Sequence, residues 1–103
     1  MTSKISVIYD NPIDPIAFEE GYSRDQISLA EKMPGLQSIE TTKVWPKEDG
    51  TPAPAYRTID MYFSDYDAAS TSVTTVEAKA LFESIFSLAT GGVQILFCDV
   101  EQS

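Results

Sequence analysis

The chain has 103 residues, 43% of them hydrophobic, enough for one core in a single domain spanning 1–103 and too few for two. Sixteen acidic residues against 7 basic ones give a net charge of -9, which repels phosphate backbones and anionic lipid surfaces, so neither nucleic acid nor a membrane is an expected partner. The apolar stretch from Gly91 to Cys98 is far shorter than the roughly 20 residues of a membrane span, and Met1 to Lys4 followed by an alternating run lacks a secretory pattern, so a cytoplasmic location is expected.

The first predicted strand runs from Lys4 to Tyr9, with Ile5, Val7 and Tyr9 on one side and Ile8 on the other, and stops at Asp10-Asn11-Pro12. Asp14-Pro15 predicts a helix start, because the carboxylate can accept from free amides while proline fits the first position without wasting a donor. The helix is expected to continue to Met33, with a stripe through Phe18, Tyr22, Gln26, Leu29, Ala30 and Met33, and to end at Pro34-Gly35. A strand over Leu36 to Trp45 and a turn-rich loop from Pro46 to Pro54 lead to the strand Tyr56 to Phe63, whose predicted faces are Ile59, Met61, Phe63 and Tyr56, Thr58, Asp60, Tyr62.

After Ser64-Asp65 a helical region is expected to break, because Thr71 to Val76 is dense in β-branched and hydroxyl residues. Thr74 and Glu77 then form a capping-box pattern that restarts it, with Ala80, Leu81, Ile85, Leu88 and Ala89 as the apolar stripe. Gly91-Gly92 releases a nearly all-apolar last strand, Val93 to Val100. The order β-α-β-β-α-β predicts an α+β, ferredoxin-like domain with a four-stranded antiparallel sheet and both helical regions on one face. The first and last strands carry apolar residues at both parities, so the opposite face is expected to be oily and covered by a second copy, in an interface of about 1,600 Å² or more.

The sequence contains no histidine, which removes Ser-His-Asp and Cys-His catalysis and histidine-ligated zinc or haem together. No acidic cluster has the spacing of a calcium loop, and neither a metal nor a cofactor is expected. Cys98, alone in an apolar strand, reads as core filler. Gln26 lies on a buried stripe and needs a hydrogen-bond partner, with Tyr22 one turn earlier in reach. Asp60, inside a strand, is either a hydrogen-bonded carboxylate or a base raised by burial. Tyr9, Trp45, Tyr56 and Tyr62 suit either an aromatic cage for a flat ligand or a dimer core, and Arg57 suits a carboxylate clamp or a surface ion pair.

Asp14-Pro15 with Phe18, Tyr22, Leu29-Ala30, Pro34-Gly35-Leu36, then Arg57, Asp60, Tyr62-Phe63 and finally Gly91-Gly92-Val93 together resemble the EthD family, named for ethyl tert-butyl ether degradation. The resemblance implies a dimeric α/β barrel of ferredoxin-like subunits and an oxidoreductase-type or auxiliary role in small-molecule degradation. The family's first helix usually reads Tyr, three residues, His, one residue, Pro-Leu-Ala. Here Gln26 stands in the histidine place and Ser28 in the proline place, and a carboxamide cannot exchange a proton near neutral pH as imidazole does. The functional expectation is a homodimer binding a small hydrophobic or aromatic molecule in a pocket lined by Tyr22, Gln26 and Asp60. It acts either as a cofactor-free oxidoreductase, isomerase or cyclase, or as an accessory protein that shields or delivers the compound. An interaction protein without a ligand is the third option.

Overall fold

The computed structural model describes residues 1–101. Its elements are β1 (Ser3–Tyr9), α1 (Pro15–Gly21), a π-helical turn (Tyr22–Gln26), α2 (Ile27–Glu31), β2 (Ser38–Lys43), β3 (Arg57–Phe63), α3 (Tyr66–Ser72), α4 (Val76–Leu88) and β4 (Val93–Asp99). The strands form one antiparallel sheet in the order β2-β3-β1-β4, with Val7 opposite both Ile59 and Ile95. The fold is α+β and ferredoxin-like, as the element order predicts.

Local chemistry explains most of the boundaries. The Asp14 carboxylate accepts from the amides of Ile16 and Ala17 at 3.1 and 3.2 Å, and Pro15 takes the first helical position. The second helical region does break, but its restart lies one residue later than the capping-box pattern places it: Thr75, not Thr74, accepts from the Ala78 amide at 3.2 Å. Accordingly Ala78, Leu81 and Ile85 face the core, whereas Ala80 is exposed. At the entry to β4, a Cβ added to Gly91 would sit 1.8 Å from the Asn11 carbonyl oxygen, so only glycine lets the chain pass the β1–α1 loop this closely.

The core lies between the sheet and the helices. Odd-numbered residues of the central strands, Ile5, Val7 and Tyr9 with Ile59, Met61 and Phe63, meet Phe18, Ala30, Met33, Ala78, Leu81 and Ile85. Tyr56, placed by alternation with Thr58 and Asp60, instead turns its ring edge-on to Phe18 at 5.3 Å, because its amide donates to the Tyr9 carbonyl although Tyr9 already faces Arg57, and two residues against one shift the alternation.

The opposite sheet face is mixed, which corrects the expectation of an oily surface. Ile8, Leu96 and Cys98 lie on the β1–β4 side, while Ser38, Glu40, Thr42, Thr58 and Asp60 make the β2–β3 side polar, with Lys4 and Ser6 between them. The apolar residues of β4 divide between the faces, so Ile95 and Phe97 belong to the helical side and are not available to this one. With helices on one face alone, the molecule is only 17 Å thick along its short axis.

Candidate functional site

Gln26 is completely buried at the end of the π-helical turn. Its carboxamide oxygen accepts from the Tyr9 hydroxyl and its nitrogen donates to Ser84 Oγ at 3.2 Å, so β1, the first helical region and α4 are tied by one amide. Both ends of the amide are therefore satisfied by side chains. Tyr22, proposed from helical spacing as the partner of Gln26, is not that partner: the wider π-helical turn intervenes and the contact goes across to the sheet. Burial pushes the Tyr9 phenol far above its ordinary range, so it stays a neutral donor.

The Tyr22 hydroxyl is buried and has no hydrogen-bond partner among the described residues. Arg57 lies over its ring, with Cζ 4.6 Å from the centroid. Burial raises the Tyr22 pKa, and the Arg57 charge and the Thr41 hydroxyl, near the phenol but without hydrogen-bond geometry to it, oppose that only in part. Arg57 in turn grips Glu19 of α1 in a two-pronged ion pair, Nε to Oε2 at 3.0 Å and Nη2 to Oε1 at 2.8 Å, and Lys43 reaches Oε1 at 3.4 Å. Of the two readings of Arg57, the ion pair is the one that forms, and its carboxylate is the chain's own Glu19.

Arg57's hydrogen bonds hold the Glu19 carboxyl below its ordinary value of 4.5, against a smaller effect of burial. A carboxyl lowered in the folded state adds stability above its unfolded pKa, and that contribution disappears as pH falls through the lowered value. The Glu19 side chain is 32% exposed, so solvent screening limits the contribution to about 1 kcal/mol. Glu19→Gln is accordingly expected to lower stability by that amount at neutral pH and to lose less on acidification below pH 4.5 than the native chain. Urea unfolding across that range measures it, and an unaltered acid slope would show the pair to be energetically idle.

Around this ion pair the surface is concave. A cleft of about 390 Å³ is lined by Pro15, Ile16, Glu19, Glu20, Ser23, Lys43 and Tyr56, and a second of about 370 Å³ adjoins it under the loop 46–55, sharing Lys43 and Tyr56. Phe18 backs the first, in contact with Tyr9, Tyr22 and Tyr56 at ring separations of 4.9, 5.8 and 5.3 Å.

Other expected site residues lie elsewhere. Asp60 points to the opposite sheet face, accepting from Ser6 Oγ and pairing with Lys4 at 3.6 Å, so a pocket common to Tyr22, Gln26 and Asp60 does not form: strand alternation separates them. Tyr62 shares that far face, under the Lys4 ammonium at 5.9 Å, and Trp45 is 87% exposed beyond the end of β2. Only Tyr9 and Tyr56 of the four-residue aromatic cage meet, through Phe18. Glu19, Lys43 and Ser84 carry functional geometry that periodicity does not reveal, since each is defined by a partner at least 24 positions away in sequence.

No family model matches the chain. An uncharacterized 11.0 kDa protein encoded in the thcB–thcC intergenic region of Rhodococcus erythropolis is 30% identical over 98 residues, covering 95% of this chain and 94% of that protein. The structure of an EthD family protein from Bacillus halodurans superposes with a TM-score of 0.90 at 25% identity, over 98% of this chain and all of that one. The chain belongs to the EthD family. A cofactor-independent oxygenase from Streptomyces nogalater shares the fold, with a TM-score of 0.68 at 12% identity, over 99% of this chain and 94% of that one. Within this EthD protein, the place usual for histidine holds an amide built into the core. No helix among the described residues is long and apolar enough to cross a membrane.

Proposed function

We propose that this EthD protein is a homodimer that binds a small hydrophobic or aromatic molecule on the helical side of the sheet, and that it shields or delivers that compound without acid–base chemistry of its own. The observation that carries the reading is the pairing of a satisfied Gln26 with an unsatisfied Tyr22. A buried hydroxyl without a partner costs roughly 1–3 kcal/mol, a cost that a ligand oxygen would relieve, and its sequence neighbours Glu19 and Ser23 line a cleft of ligand size.

None of the residues at the expected site is set up to take a proton from a ligand. Gln26 is a carboxamide, both phenols are raised by burial, and Glu19 is ionised and held by Arg57. The oxygenase activity of the Streptomyces protein supports room for an organic ligand in this fold, and it defines the competing outcome of the test. For the dimer, the support is the open sheet face, where Leu96 stays 43% exposed and no helix covers Ile8 or Tyr62. A second sheet packed on it about a two-fold axis would hide these residues.

The test is a panel of neutral aromatic fragments in air-saturated buffer, followed by binding titration and mass spectrometry of the recovered ligand. Saturable binding with the compound returned unchanged is expected. Oxidation or rearrangement of a bound fragment would replace the carrier reading with a catalytic one.

A further inference from the structure

The cleft beside α1 has a chemistry of its own. Its walls at Pro15, Ile16 and Tyr56 are apolar, and its charges balance: Lys43 and the Arg57 behind it face Glu19 and Glu20. An anion entering would meet two carboxylates in a protein of net charge -9, and a cation would meet Lys43 and Arg57. Neither ionic class gains. Tyr22 does not itself line the cleft; the Arg57–Glu19 pair links the two, since Glu19 lines the cleft while Arg57 covers the Tyr22 ring. Tyr22 as a residue is 7% exposed, and its hydroxyl is buried without a partner among the described residues.

We infer that the cleft takes a neutral, largely apolar molecule carrying one hydrogen-bond-accepting oxygen, and that Tyr22 Oη donates to this oxygen when the Arg57–Glu19 pair swings aside. This assignment rests on the binding reading above and adds the ligand's class and the donor that selects it. Tyr22 has a proton to donate, because burial keeps its phenol neutral at pH 7. A volume of about 390 Å³ admits a ligand of about one ring with a short substituent.

The experiment uses three probes of matched shape, acetophenone, cumene and benzoate, titrated into the native protein and Tyr22→Phe, with amide chemical shifts of Ser23, Lys43 and Tyr56 marking the cleft. Native protein is expected to bind acetophenone roughly five- to tenfold more tightly than cumene, the range of one neutral hydrogen bond, with benzoate weakest. Tyr22→Phe is expected to bind acetophenone and cumene alike and to melt no lower than the native chain, since it removes a hydroxyl that nothing satisfies. Equal native affinities, a preference that survives in Tyr22→Phe, or tightest binding of benzoate would each overturn the ligand assignment while leaving a binding protein. Three probes that leave those amides unshifted would overturn both.

Discussion

Gln26→Ala is expected to destabilise the protein by about 3 kcal/mol, the sum of a core cavity and a Tyr9 hydroxyl left buried without its acceptor. For a chain of this size that is a fall in melting temperature of roughly 12–24 °C. The size of the effect follows from position: the amide is completely buried and is the one link joining Tyr9 of β1 to Ser84 of α4. Gln26→Leu separates the terms, because leucine fills most of the space and leaves only the polar groups unmatched; about half the loss is expected. Chemical unfolding of the two variants measures both. If alanine there cost less than about 1 kcal/mol, the amide would not be the structural tie described above.

The second large effect is on assembly. Leu96→Asp puts a carboxylate on the open sheet face opposite Ser6, and in a two-fold dimer it does so twice, near the Asp60 charges. Burying unpaired charge at an interface costs several kcal/mol, so the dimer is expected to dissociate at least about 100-fold more readily, while the subunit, in which Leu96 is already 43% exposed, keeps its melting temperature. Sedimentation equilibrium reads the change. A native protein that sediments as a monomer at micromolar concentration would remove the dimer, and an unaffected variant would move the interface off this face.

Element order and the helix start at Asp14-Pro15 were legible in the sequence because they rest on short-range chemistry: alternation, caps and breakers. The two faces of β3 were legible within the strand and not at Tyr56, since alternation slips where Tyr56 and Arg57 both oppose Tyr9. Gln26 was visible as a polar residue on a buried stripe, but its partners were not. A π-helical turn shifts the helical phase, and cross-strand or cross-layer contacts such as Tyr9–Gln26 depend on register that sequence spacing does not encode. The misplacement of Asp60 has the same origin: a carboxylate in a strand reads alike on either face until the helices take one of them. The mixed sheet face shows the converse, where apolar residues at both parities of β4 were divided between two surfaces and so left each less oily than the strand itself.

The most direct test is where a bound ligand lies. In isotopically labelled protein saturated with acetophenone, intermolecular nuclear Overhauser effects are expected from the ligand ring to the side chains of Ile16 and Tyr56, on the helical side of the sheet. Contacts confined to Ile8, Tyr62 and Leu96, on the opposite face, would place the ligand between the sheets and contradict the site built around Tyr22.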